Sequence, residues 1–202
     1  MKKIMTLVAV AMMAVGLHAQ TWEEVKVGAT TRKTLTYVPK NVEKSPALVI
    51  SLHGMNQDPE YQQKQTQWNA LADTEGFIVT YPLGNNRMWD TSGMGDVKFV
   101  EAVMKDMELK HNVDRNRIYL SGFSMGSWLG YHCLETLGDK IAAFGPVSGV
   151  DIGKQPRANR MQHALKGQKL LAQGIALGMI ANSKAPCFTL IEQALSVFFN
   201  VN

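Results

Sequence analysis

Arg117-Ile118-Tyr119-Leu120-Ser121-Gly122-Phe123-Ser124-Met125-Gly126 is the stretch on which the reading of this chain turns. Arg117 to Ser121 has the composition of a strand, and Trp128 to Leu137 has the pattern of a helix. Between them, two glycines flank a serine. That context fits a nucleophile elbow, a sharp strand-to-helix turn that holds a serine hydroxyl exposed at the end of a sheet. A side chain at Gly122 or Gly126 would collide with the neighbouring strand or helix as the backbone folds back. Two glycines and a serine at this spacing arise by chance in about 5% of chains this long, taking each residue at roughly 7% usage. The strand before and the helix after lower that several-fold. A serine so placed is a candidate acyl-transfer nucleophile.

Outward from the elbow, strands alternate with helices. Pro46 to Leu52 is a continuous apolar run ended by His53-Gly54, the pattern of a strand buried on both faces. Phe77 to Tyr81, closed by Pro82, predicts another. Lys33 to Pro39 alternates polar and apolar and predicts a strand near an edge. Gln62 to Glu75 predicts one helix, stopped by Gly76. Leu83 to Gly95 is a polar loop carrying Trp89 and Asp90. Asp96 is a candidate helix cap. Val97, Val100, Met104 and Met107 mark one face of a helix running to about His111. Asn112 to Asn116 forms a polar turn, and Ile141 to Gly149 gives a last strand and turn. The alternation implies βαβ units: an α/β protein with a parallel-rich central sheet flanked by helices. Past Asp151 the pattern changes to two helices, roughly Asn159 to Ala181 and Thr189 to Phe199.

The first residues read as a leader. Lys2 and Lys3 precede an apolar run from Ile4 to Leu17, and Leu17-His18-Ala19 offers a cutting site after Ala19. The run is short for a membrane span, which needs about 20 apolar residues. A secreted or periplasmic protein with no stable membrane anchor is expected. The domain expectation is thus residues 1–19 signal peptide, 20–151 core and 152–202 a divergent, basic, helical tail. Cys133 and Cys187 are a single pair and no disulfide framework; Cys133 fits a buried apolar position.

The net charge of +4 is unevenly placed. Residues 20–151 hold 13 Lys and Arg against 16 Asp and Glu. From Ile152 on, six basic residues face Glu192 alone, and every Trp and Tyr lies before that point. A basic tail without aromatic interleaving excludes a nucleic-acid partner. No metal cluster or cofactor motif is present.

Three stretches together resemble a known family: Ala47-Leu-Val-Ile-Ser-Leu-His-Gly54, Leu71-Ala-Asp-Thr-Glu-Gly-Phe77 leading into Tyr81-Pro82, and Asn112 through Gly126. They are similar to the polyhydroxybutyrate-depolymerase-like esterases, which include secreted feruloyl and acetylxylan esterases of carbohydrate esterase family 1. The match covers Lys33 to Val150. Each motif alone is modest; the combination is specific. The resemblance implies an α/β-hydrolase fold and ester hydrolysis through an acyl-enzyme on Ser124. It implies an oxyanion hole from the backbone N–H groups of Met125 and Met55. His53 would support the loop after its strand. Trp89 would either stack on an aromatic acid or sugar, or pack. The expected partner is an ester-substituted polysaccharide or a small aryl or acyl ester.

One part of the family pattern is missing. Its acid lies in a His-Gly-Thr-x-x-Asp-like turn and its histidine in a later Gly-His loop, and this chain has neither. The triad acid and histidine are therefore unassigned, and the α/β-hydrolase fold is expected to be C-terminally incomplete. His132 lies over two helical turns beyond the serine and would point away. Asp151 and His163 are the remaining pair. A shifted reading frame from Ile152, or a diverged tail, would account for the change; the DNA encoding Ser148 to Arg160 decides, and the frame-shift idea fails if neither alternative frame encodes the missing turn. Two rivals stand beside the esterase: an inactive remnant or binding protein using the surviving pocket, and a peptidase on the same fold, for which no peptide-binding insertion is seen.

Overall fold

A computed structural model describes residues 19–149. Six strands form one sheet in the order β1-β2-β4-β3-β5-β6. They are β1 (Ala19–Val27), β2 (Thr30–Val38), β3 (Leu48–Leu52), β4 (Ile78–Pro82), β5 (Ile118–Phe123) and β6 (Ala143–Val147). β1 and β2 run antiparallel to their neighbours, and β4, β3, β5 and β6 are mutually parallel. Helices α1 (Pro59–Thr66), α2 (Trp68–Glu75), α3 (Gly95–His111) and α4 (Met125–Leu137) cover both faces. Residues 1–18 of the expected signal peptide, both tail helices, Asp151, His163 and Cys187 lie outside the described residues; the last residue of that peptide, Ala19, opens β1.

The two faces follow from side-chain alternation. Leu48, Ile50 and Leu52 of β3 join Ile78, Leu120 and the apolar stripe of α3 and α4 in one core cluster. Val49, Val79 and Tyr81 point the other way, onto Trp68, Ala72 and Phe77. A strand buried on both sides must be apolar at every position, hence the unbroken run in the sequence. Cys133 is fully buried in the first cluster, and burial pushes its thiol above its ordinary range.

The strand expected near an edge at Lys33 to Pro39 is β2, next to the edge strand β1, and two other expectations need correction. Only Val25 of the β1 residues described is buried, so its polar sequence carries no core signal. The helix expected over Gln62 to Glu75 is two helices, broken where Gln67 adopts left-handed φ 55°. The first begins earlier, with Asp58 as cap accepting the Tyr61 N–H at 2.9 Å and Pro59 in its first turn. Asp96 does not cap α3, whose cap position is Met94. Its carboxylate instead accepts the Asp90 N–H at 2.6 Å and pairs with Arg32 at 2.8 Å. Arg32 also donates to the Leu83 carbonyl and lies 4.1 Å over the Phe99 ring. The buried pair thus ties β2, α3 and the loop after β4 together.

The edge strand β1 is anchored to α3 by Glu23, which lies 3.1 Å from His111 Nε2 and 3.3 Å from Lys110 Nζ. Burial raises the Glu23 pKa, but the His111 hydrogen bond and the His111 and Lys110 charges outweigh it, and the net shift is downward. A depressed carboxylate contributes stability above its unfolded pKa and loses it as pH falls through the folded value. Urea unfolding at stepped pH is expected to show about 1 kcal/mol lost below the ordinary carboxylate range. Glu23→Gln should remove that step; an unchanged acid limb would refute the assignment.

Candidate active site

In an open parallel-rich sheet, the C-terminal ends of the strands carry the loops that can form a crevice. Here those ends bring together the turn after β3, the loop after β4 and the junction of β5 with α4. Ser124 is that junction, at φ 51° and ψ −112°. A non-glycine residue there costs about 1–3 kcal/mol, so its surroundings must impose the conformation. The Ser124 N–H donates to the Val147 carbonyl of β6 at 2.8 Å. Its carbonyl accepts from the N–H groups of Ser127 at 2.9 Å and Trp128 at 3.2 Å. Ser124 is half-buried, and its hydroxyl makes no hydrogen bond among the described residues.

The glycines are there for space. A Cβ on Gly122 would overlap the Gly126 carbonyl, and one on Gly126 would overlap the Leu52 carbonyl of β3 and lie 2.7 Å from that of His53. The helix thus starts in contact with the neighbouring strand, as only glycine allows.

Ser127, fully buried, escaped the sequence reading. Its hydroxyl lies 2.5 Å from the Gly122 carbonyl and 3.0 Å from that of Val147, and it accepts the Val147 N–H at 3.1 Å. One side chain joins β5, α4 and β6 at the elbow. Ser127→Ala leaves these buried groups short of a partner and is expected to cost about 1–3 kcal/mol in urea unfolding. A loss below about 0.5 kcal/mol would show that they find other partners.

The resemblance offers the N–H groups of Met125 and Met55 as oxyanion donors. That of Met125 lies in the first turn of α4, where the helix supplies no acceptor. That of Met55 follows Gly54 and makes no hydrogen bond among the described residues. A Cβ on Gly54 would sit 2.8 Å from the Phe123 ring, so the turn after β3 lies against the elbow.

His53 holds that turn. Its Nε2 accepts the Gly84 N–H at 2.9 Å, so Nδ1 carries the ring hydrogen and donates to the Gly54 carbonyl at 2.7 Å. Burial lowers its pKa and keeps it neutral. With both nitrogens engaged, it cannot take a proton from the serine. Trp89 is 3% exposed, stacks 4.5 Å from the His53 ring and donates its Nε1–H to the His53 carbonyl at 2.7 Å. Of the two roles open for Trp89 in the sequence, the structure shows packing. It also lines a cleft of about 760 Å³ between the β1–β2 hairpin and the loop after β4. Asp90 spends its carboxylate on the Ser92 and Gly93 N–H groups, which hold its pKa down.

The other described histidines stand apart. His111 is at the C-terminus of α3, at the opposite edge of the sheet, beside Glu23. His132 is fixed on α4 between the Gly93 carbonyl at 3.0 Å and Glu135 at 3.3 Å. Among the described residues no histidine stands against Ser124, and no group of side chains could hold a metal ion. No helix among them is long and apolar enough to cross a membrane.

The profile of the Esterase PHB depolymerase family matches residues 34–169. The bifunctional acetylxylan esterase/xylanase of Neocallimastix patriciarum is 45% identical over 126 residues, covering 61% of this chain and 19% of that protein. The poly(3-hydroxyalkanoate) depolymerase C of Paucimonas lemoignei is 29% identical over 125 residues, covering 56% and 30%. The chain thus spans less than a third of either relative. The acetyl xylan esterase from Aspergillus awamori superimposes with a TM-score of 0.60 at 22% identity, over 66% of this chain and 53% of that one. The fold, as far as residues 19–149 carry it, is that of the α/β-hydrolase esterases.

Proposed function

Because the chain belongs to the Esterase PHB depolymerase family, we propose that it is a serine carboxylesterase that removes feruloyl or acetyl groups from plant cell-wall polysaccharide. The observation that carries the reading is the strained Ser124 turn, its hydroxyl unpaired among the described residues and the turn after β3 packed against it. Ser124 Oγ attacks the ester carbonyl, forming a Ser–acyl bond as the C–O bond to the sugar breaks. The developing oxyanion accepts from the Met125 and Met55 N–H groups, each worth a few kcal/mol in such a site. The serine proton passes to a base and on to the leaving sugar oxygen; water then cleaves the acyl-enzyme to free acid and Ser124. Asp151 and His163 remain the candidates for acid and base. Residues 1–19 would direct export, residues 20–151 would carry the serine and its oxyanion donors, and residues 152–202 would be a divergent basic tail that holds the candidate base. The names of the relatives, an acetylxylan esterase and a polyester depolymerase, support ester-substituted polymers as the substrate class.

A second reading has its own observation: His53, His111 and His132 are all committed elsewhere. A serine without a base is a poor nucleophile, and the chain would then be an inactive hydrolase or a binding protein. Incubating the folded protein with a fluorophosphonate probe and with 4-nitrophenyl acetate separates the two. Stoichiometric labelling with turnover supports the esterase. A folded protein that neither labels nor turns over ends it in favour of the second reading.

A further inference from the structure

The solvent-facing large apolar groups at the active-site edge of the sheet are disproportionately methionine. Met55 is 46% exposed, Met88 40% and Met94 39%, while Met104 and Met107 of α3 are buried. The three exposed methionines lie on two loops only, those after β3 and β4. These loops are stitched together: the Asn56 N–H donates to the Arg87 carbonyl at 2.9 Å, and Arg87 pairs with Asp58 at 3.2 Å. The loop after β4 then reaches α4, where the Gly93 carbonyl meets His132. It therefore runs from the turn bearing Met55 to His132, about two turns along the helix that Ser124 opens. Met88 also stands at the lip of the 760 Å³ cleft.

We infer that Met55, Met88 and Met94 form an acyl-binding rim that takes an aromatic acyl group in preference to acetyl. The inference rests on the oxyanion role proposed for Met55. A carbonyl oxygen held by the Met55 N–H brings the adjoining acyl carbons against the Met55 side chain. Thioether side chains are unbranched and polarisable, and they pack favourably against ring edges without a rigid pocket. An acetyl methyl ends one bond from that carbonyl and offers little surface to a second loop. A ring conjugated to the carbonyl extends several bonds further and offers its edges to side chains on both loops.

The test does not depend on turnover. Full-length Ser124→Ala protein carrying methyl-13C methionine is titrated with methyl ferulate and, separately, with ethyl acetate. Single Met→Leu replacements at positions 55, 88 and 94 assign the signals. The Met55, Met88 and Met94 methyls are expected to shift upfield on one saturation curve with methyl ferulate. The Met104 and Met107 signals stay fixed, and ethyl acetate moves none. Rim signals that stay still, that move together with the core signals, or that respond equally to ethyl acetate overturn the inference. Because the serine is absent, failure here leaves the esterase reading standing, and failure of fluorophosphonate labelling leaves this result readable. In an active preparation, Met88→Ala should lower the ratio of kcat/KM for methyl ferulate to that for 4-nitrophenyl acetate by about tenfold; an unchanged ratio counts against the rim.

Discussion

Ser124→Ala is expected to abolish fluorophosphonate labelling and to lower 4-nitrophenyl acetate turnover by about 10⁴- to 10⁶-fold. The variant is unusually clean. Ser124 keeps its φ of 51° through backbone bonds to Val147, Ser127 and Trp128, none of which uses the hydroxyl. Alanine meets the same backbone constraint, so circular dichroism and the unfolding midpoint should hardly move. What disappears is one oxygen atom without a hydrogen-bond partner among the described residues. A labelled alanine variant would place the reactive nucleophile elsewhere in the chain.

Gly126→Ala is expected to destabilise the protein by about 3 kcal/mol in urea unfolding. Helix propensity alone argues the other way, since alanine in a helix is favoured over glycine by about 0.5–1 kcal/mol. The steric term is larger. The new methyl would meet the Leu52 and His53 carbonyls of the β3 backbone, which no rotamer change can move. Gly28→Ala is the control. It has positive φ but nothing within 4 Å of the added carbon, so it should cost about 1 kcal/mol from backbone strain alone. Equal losses at the two positions would mean that the contact between α4 and β3 relaxes freely.

What could be read in advance divides by the range of the forces involved. β3 and β5 were legible because burial on both faces demands apolar side chains at successive positions. The elbow was legible because its two clashes demand glycines at fixed local offsets. β1 was not, because an edge strand that buries only Val25 among its described residues can be built from Thr, Glu and Lys. The break at Gln67 carries no glycine or proline to announce it. Asp96 looked like a cap because its position is right for one; its partners Arg32 and Asp90 come from other elements. Ser127 was invisible for a similar reason: one of its partners, Val147, lies on a strand that joins it only after folding. Trp89 could not be assigned from its loop alone, since its fate depends on the carbonyl of His53.

The bonds that hold the serine turn come from β5, the first turns of α4 and β6, all within residues 118–147. From outside that span, β3 and Gly149 pack against it. Among the described residues the turn is therefore a self-bracing cassette, its hydrogen bonds linking three elements that follow one another in the chain. Such a cassette can keep its serine poised while the residues that would arm it are exchanged, diverge or are supplied from another source.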